Sequence, residues 1–178
     1  LPLGGEFFSV LEARGPLQDR VACFFVAAIV CVVAYLHSRG VAYRDLKPEN
    51  LLLDGQGYLK LCDFGFAKIL DADAGYRTYT FVGTPGFRAP EMIKGEPHGE
   101  PVDLWACGCI LFILLVGEAP FTGNGSKTRR AKYAFAPALE WARVSGDAKD
   151  LVTKLLVAEP AKRLTARAAL RHPWFLLN

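Results

Sequence analysis

Two uncharged apolar runs decide the outline of this chain: Val21 to Leu36, sixteen residues, and Leu104 to Val116, thirteen. A membrane-spanning helix needs about 20 apolar residues, with about 17 as the lower limit. Both runs fall short, and Asp19, Arg20, His37 and Arg39 crowd the ends of the first. A helix that is apolar all round is either a span or the centre of a sizeable core, so the expectation is two core helices and no membrane span. Such helices need chain around them. The 178 residues, 52% apolar and 22% charged, amount to one domain able to bury a core without disulfides or metals.

The net charge of +3 is too small to argue for a nucleic-acid partner. The tight basic cluster Lys127, Arg129, Arg130 and Lys132 reads as a solvated face. Five cysteines, Cys23, Cys31, Cys62, Cys107 and Cys109, form no C-x-x-C pair, and no His cluster has zinc spacing, so a structural metal is not expected. They read as buried, reduced thiols of an intracellular, cytoplasmic protein. The start, Leu1-Pro2-Leu3-Gly4-Gly5, has neither the pattern of a secretory signal nor an initiator Met, and is read as lying mid-protein.

Along the chain, Phe7, Phe8, Val10 and Leu11 place one apolar face on a helix from Glu6 to Ala13, ended by Gly15-Pro16. Asp19 is expected to cap a long helix reaching about Arg39, with Gly40 at the position after its C-cap. Val41 to Asn50 reads as a polar loop. Leu51-Leu52-Leu53 and Tyr58-Leu59-Lys60-Leu61, around Asp54-Gly55-Gln56-Gly57, read as a β-hairpin. Asp63 to Val102 shows little periodicity, and a structureless stretch of that length is uncommon in a compact domain unless it is functional. Helices follow over Val102–Val116, Asp147–Leu156, and from Thr165 to before Pro173.

The chemistry sits in the loops flanking the hairpin. The first reads Tyr43-Arg44-Asp45-Leu46-Lys47-Pro48-Glu49-Asn50 and the second Asp63-Phe64-Gly65. One carboxylate, one Lys and one Asn share a tight loop, and the hairpin returns a second carboxylate beside them. Asn50 and Asp63 offer hard oxygen ligands, which suit Mg²⁺ and a phosphate substrate rather than zinc. A carboxylate to orient a hydroxyl, a cation for the moving phosphoryl group and a metal to neutralise charge are the parts phosphoryl transfer needs.

Arg44-Asp45-Leu46-Lys47-Pro48-Glu49-Asn50, then Asp63-Phe64-Gly65, Gly83-Thr84-Pro85 and Ala89-Pro90-Glu91 resemble the eukaryotic protein kinases in order and spacing. The endings Pro160-Ala161-Lys162-Arg163-Leu164-Thr165 and His172-Pro173-Trp174-Phe175 extend the likeness over the whole chain. The resemblance implies a mainly α fold with a small β-hairpin, the large lobe of a protein-kinase domain over residues 1–178. It also implies a Ser/Thr kinase using ATP and Mg²⁺ on protein substrates, since Lys47 and Thr84 match the serine/threonine branch. Tyr43, the run Gly57 to Lys68 and the run Thr78 to Pro85 look like cyclic-nucleotide-dependent kinases of the AGC group, the cyclic-GMP-dependent ones especially. Glu140-Trp141, Ala148-Lys149-Asp150-Leu151 and the His-Pro-Trp ending are more like calmodulin-dependent kinases.

Carried over residue by residue, the resemblance makes Asp45, Lys47, Asn50 and Asp63 catalytic. Asp45 deprotonates the substrate hydroxyl, Lys47 meets the γ-phosphate, and Asn50 and Asp63 hold magnesium. Glu6, Lys47, Glu49, Asn50, Leu52 and Asp63 fall on the ATP-binding side, though Leu52 could equally be core. Glu6, Glu49 and Thr84 fall on the substrate side, where basic sequence is expected around the target. Thr80 matches an activation-loop phosphosite, with Arg44 and Lys68 as the cations that hold the phosphate. Glu91 and Arg163 look like a buried anchoring ion pair, Asp103 like the residue holding the catalytic loop's backbone, and Tyr43 and Phe64 like packing aromatics.

Departures qualify the likeness. Ile113 stands where an acidic substrate-reading residue is usual, Gly86 where a Glu is usual, and Arg88 adds positive charge, so a weaker demand for upstream arginine is expected. The segment from Phe121 to Tyr133 is short for the family. No G-x-G-x-x-G loop, strand Lys or helix Glu partner occurs before Glu6, and those parts cover the nucleotide phosphates. The small lobe or an upstream regulatory domain is therefore expected elsewhere in the full protein, and residues 1–178 alone are expected to be inactive and aggregation-prone. The competing readings are a non-catalytic pseudokinase or regulatory binding module, and a small-molecule phosphotransferase.

Overall fold

The computed structural model describes residues 15–73, 75–121, 128 and 138–177. The expected helix from Glu6 to Ala13, Glu6 itself, the cations Lys127, Arg129, Arg130 and Lys132, and most of the segment after Phe121 lie outside them.

Helix α1 (Asp19–Ser38) carries the first apolar run. Arg39 is its C-cap, and Gly40 follows at φ 67°, the left-handed turn that favours glycine. At its start the expected cap shifts by one residue. Gln18 is the N-cap and Asp19 opens the first turn, because the Asp19 carboxylate is taken by more distant donors: the Ser145 hydroxyl and, at 3.1 Å, the Trp174 indole N–H.

With its polar ends included, α1 reaches 20 residues and, among the described residues, is the helix long and apolar enough to cross a membrane by length and composition. Its Ala22, Cys23, Val26, Ile29, Val30 and Val33 are buried, against helix α3 (Pro101–Val116) and the C-terminal helices α6 (Ala166–Ala169) and α7 (Pro173–Leu177). The opposite face keeps Val21, Phe24 and Tyr35 exposed, so core burial is one-sided.

Helix α3 is the centre. Of its residues only Pro101 and Ile113 are not fully buried. Helix α5 (Gly146–Leu155) lies against it so closely that a Cβ at Gly108 would stand 2.8 Å from Leu156 Cδ2 and 2.9 Å from Leu155 Cβ. Trp105 of α3 stacks on Phe121, and Phe112 stacks on Trp141 of helix α4 (Ala138–Arg143).

The polar loop contains strand β1 (Val41–Ala42) and a 3₁₀ turn over Pro48–Asn50, and leads into the hairpin of β2 (Leu51–Leu53) and β3 (Leu59–Leu61). The hairpin is antiparallel, in the register Leu51↔Leu61, Leu52↔Lys60, Leu53↔Leu59. Asp54 Oδ1 accepts the N–H groups of Tyr58 and Gln56 across the turn, which holds its carboxyl below the usual carboxylate range. Leu51 and Leu53 are buried and Leu52 is half-buried, on the other side of the pleat.

The stretch from Asp63 to Val102 is less irregular than expected. Strand β4 (Lys68–Ile69) pairs with β1, a single bridge joins Thr78 to His98, and helix α2 spans Pro90–Lys94. These pieces are two to five residues long and held by distant partners, so they leave no local periodicity. The last expected helix is two. Thr165 caps α6 by accepting the Ala168 N–H, and Pro173 opens α7, a first-turn position proline favours.

All five cysteines are free. Cys23, Cys107 and Cys109 are buried as expected, but Cys31 is exposed and Cys62 half-buried. Cys31 faces outward because it shares the uncovered side of α1.

Candidate active site

The loop between β1 and the hairpin is suspended from α3. Asp103, 1% exposed, accepts the backbone N–H of Arg44 at Oδ1 (2.7 Å) and that of Tyr43 at Oδ2 (2.9 Å). His37 Nε2 lies 2.8 Å from the same Oδ2. Arg44 is held at φ 70°, a left-handed backbone that is strained for a residue with a Cβ. Asp103, expected to hold this loop's backbone, is the residue that accepts these two N–H groups. His37 is a partner that sequence reasoning missed; its only mark there is a polar residue closing an apolar helix.

Asp45, 4% exposed, sits at the centre of a closed network. Its Oδ1 accepts the Thr84 hydroxyl at 2.7 Å, its Oδ2 lies 3.1 Å from Lys47 Nζ, and Asn50 Nδ2 donates to Oδ2 at 3.2 Å. Lys47 Nζ also donates to Thr84 Oγ1 at 2.8 Å, and Asn50 Nδ2 to the Asp45 backbone carbonyl at 2.9 Å. Residues 45, 47, 50 and 84 are thus brought together, and every lone pair the network uses has a donor.

The hairpin returns the second carboxylate. The Cys62 N–H donates to the Asn50 carbonyl at 3.0 Å, so Asp63 follows directly on a residue bonded to Asn50. Asp63 is exposed, at φ 55°, with Oδ1 accepting the Gly65 N–H at 3.1 Å. It has no ion-pair partner among the described residues. An Asn amide carbonyl and a carboxylate held without a cation are the donors a hard divalent cation takes.

Tyr43 is fully buried, and its hydroxyl donates to the Cys62 carbonyl at 2.5 Å. Burial pushes its phenol above the ordinary range, so it stays a neutral donor. Phe64 meets the Tyr43 ring edge-on at 5.3 Å, but is 50% exposed. Its expected packing is one-sided among the described residues. Glu49 is exposed and Leu52 half-buried, and neither is joined to the Asp45 network.

Of the residues expected around a Thr80 phosphate, Lys68 is linked to Thr80 through Thr78, and Arg44 bonds elsewhere. Thr80 is exposed, and its Oγ1 lies 3.2 Å from that of buried Thr78, to which Lys68 Nζ donates at 3.0 Å. Arg44 Nε donates to the Phe66 carbonyl at 2.8 Å, while its buried Nη1 has no partner among the described residues. Burial lowers the Arg44 guanidinium from its usual range, and an added anion would oppose that shift.

Glu91 and Arg163 form a bidentate pair at 2.8 and 3.0 Å, nearly inaccessible to solvent on both sides. Arg163 also donates to the Pro101 and Val157 carbonyls. The remaining donors of a buried guanidinium are thereby used, as a buried ion pair requires. The pair ties the segment after Thr84 to the C-terminal part of the chain.

Comparison with known proteins agrees with this arrangement. The chain matches the protein kinase domain over residues 2–175. It is 42% identical to "Calcium/calmodulin-dependent protein kinase type II subunit delta" of Oryctolagus cuniculus, over 98% of this chain and 34% of that protein. It is 40% identical to "Calcium/calmodulin-dependent protein kinase cmkB" of Emericella nidulans, over 98% of this chain and 45% of that protein. The chain therefore spans less than half the length of either relative. Both relatives are calmodulin-dependent kinases, in keeping with the likeness of the C-terminal portion, and they lend no support to a cyclic-GMP-dependent affinity. A match that runs from residue 2 to residue 175, through the Asp45 loop, the hairpin and the Glu91–Arg163 pair alike, makes this chain a member of the protein kinase family.

Proposed function

We propose that the chain is the catalytic large lobe of a Ser/Thr protein kinase that transfers the γ-phosphoryl group of ATP to a protein hydroxyl. The observation that carries this reading is the closed Asp45–Thr84–Lys47 network beside Asn50. A binding module would have no use for a buried carboxylate locked in one orientation.

Asp45 is the residue that orients the substrate hydroxyl. Thr84 bonds Oδ1, and Oδ2, faced by Lys47 and Asn50, is the oxygen that takes the hydroxyl proton as Lys47 turns to the phosphoryl group, while the substrate oxygen bonds to the γ-phosphorus and the bond to the departing ADP oxygen breaks. Lys47, already 3.1 Å from Asp45, places its charge on the transferring group. The Asn50 carbonyl oxygen and the Asp63 carboxylate fit Mg²⁺, whose role when bound is to neutralise phosphate charge and align the two reacting ends. Asp63 keeps its aim through the bond to Gly65. Tyr43 pins that segment to the catalytic loop.

Thr80 is proposed as the activating phosphosite, held by Lys68 and by the unpartnered Nη1 of Arg44. Glu49 supports a basic context in the substrate. Five free thiols support an intracellular, cytoplasmic setting. Residues 1–178 contain no Gly-rich loop of the G-x-G-x-x-G type, and turnover is assigned to the full-length protein rather than to these residues alone.

The test is phosphate transfer from [γ-³²P]ATP with Mg²⁺ to Ser/Thr peptides by the full-length protein. Asp45→Asn is expected to lower kcat by about 100- to 10,000-fold, the range of a lost general base, with ATP binding retained. Unimpaired turnover by that variant overturns the reading.

A further inference from the structure

Arg88 carries a charge that no carboxylate meets among the described residues. Its Nε donates to the Val82 and Gly83 carbonyls at 3.0 and 2.9 Å, and its Nη2 to the Gly83 carbonyl at 2.6 Å. Its Cζ stands 4.3 Å from the centre of the Phe81 ring. Two neutral carbonyls and an aromatic face fix the guanidinium in place without cancelling its charge. Its Nη1 donates to none of the described residues.

The position of this charge gives it a consequence. The Gly83 carbonyl is one peptide bond from Thr84, whose hydroxyl is on Asp45. Arg88, Thr84 and Asp45 also line one small cavity. The loop between them has no slack. Gly83 is at φ 85°, and a Cβ there would stand 2.7 Å from the Arg44 carbonyl. Phe81 is 60% exposed, so the platform opens to solvent at the rim of the site. A peptide whose hydroxyl reaches Asp45 must lay its neighbouring residues across this rim.

We propose that Arg88 is a specificity-determining residue that selects substrates carrying an Asp or Glu next to the target Ser or Thr. This rests on the kinase reading of the Asp45 site. A carboxylate from the peptide would take the free Nη1 edge in a charge-assisted bond, and the covering peptide would remove water from a guanidinium already shielded by Phe81. A basic residue at the same place would meet an unscreened like charge. Glu49 remains available for basic residues farther along the peptide, so the substrate is bipolar, acidic beside the hydroxyl and basic away from it.

The test uses the full-length protein and three peptides identical except for Asp, Asn or Lys beside the phosphoacceptor, placed on each side in turn. On one side, kcat/KM is expected to be about tenfold higher for Asp than for Asn, lowest for Lys, and expressed mainly in KM. Raising the salt concentration should shrink the Asp preference. Arg88→Met should equalise the Asp and Asn peptides, and Arg88→Lys should keep part of the difference. If Arg88→Met fails to fold, the Arg88→Lys ratio and the salt dependence of the native protein decide instead. Equal rates for the native protein on Asp and Asn peptides overturn the inference, as does a preference that survives in Arg88→Met. Absence of transfer to every peptide is the different failure, that of the kinase reading itself.

Discussion

Asp103 Oδ1 accepts the backbone N–H of Arg44 at 2.7 Å, a bond between the central buried helix and the loop that carries the proposed catalytic residues. Its other oxygen serves Tyr43 N–H and His37. Together these bonds hold Arg44 at φ 70°, a backbone that costs about 1 kcal/mol or more for a residue with a Cβ. Asp103→Asn keeps the shape but turns an NH₂ group toward a donor. A loss of about 1–3 kcal/mol is expected, the cost of a buried polar group without its partner. Turnover should fall further than that loss explains, because the loop is released. Urea melts and steady-state kinetics of the full-length variant check both parts; native stability with native turnover would show that the loop holds itself.

Thr84 both receives from Lys47 at 2.8 Å and donates to Asp45 at 2.7 Å, so one hydroxyl sets two charged groups. Thr84→Val removes it at nearly constant volume. Asp45 and Lys47 then close on each other, and misplacement by about 1 Å is enough to cost roughly 100-fold in kcat. Thr84→Ser restores the hydroxyl and should recover most of the rate. If Val and Ser variants are equally slow, the threonine methyl rather than the hydroxyl is what matters.

What was legible in the sequence is what depends on near neighbours. The hairpin announced itself through Leu51–Leu53, Asp54-Gly55-Gln56-Gly57 and Leu59–Leu61, and α1 through its apolar run and Gly40. The loop from Tyr43 to Asn50, and Asp63, stood out because their residue types suit the proposed chemistry rather than packing. The structure adds what distant partners determine. Strands β1 and β4 are two residues each and exist only as a pair. His37 joins the site through a helix 66 residues away. Cys31 and Phe64 have core-like side chains on surfaces that no described element covers, and apolar patterning alone does not mark which face of α1 is left open. Arg88 was visible as a charge, but its stacking on Phe81 and its hold on Gly83 were not.

Thr80 lies at the end of a short relay in which Lys68 Nζ bonds Thr78 Oγ1, itself 3.2 Å from Thr80 Oγ1. A phosphate there adds up to about two negative charges beside Lys68, with Arg44 as the second cation proposed to meet it. Arg44 Nη1, without a partner among the described residues, is the donor proposed to take it. Thr80→Ala is expected to lower the activity of the full-length enzyme, and phosphatase treatment of the native enzyme should lower it to the same level. Full activity from protein shown by mass spectrometry to be unmodified at Thr80 would remove the phosphosite from the mechanism.

Asp150 links α5 to the C-terminal end of the chain: Lys154 Nζ lies 2.6 Å and His172 Nε2 2.8 Å from its Oδ2. These bonds, Lys154 first and His172 second, hold its carboxyl below the usual carboxylate range. The direction fixes the sign of the pH effect. A depressed folded-state value means that the unfolded chain takes up the proton first as pH falls, so the carboxylate's contribution is complete above the unfolded value of about 3.9 and fades as pH drops through the folded value. With its side chain about half exposed, Asp150 should supply only a modest share of stability. Thermal melts of native and Asp150→Asn protein between pH 7 and pH 2 should therefore show a small native advantage at neutral pH that closes on the acid side. An advantage that widens as pH falls would reverse the sign and place the stabilising charge elsewhere.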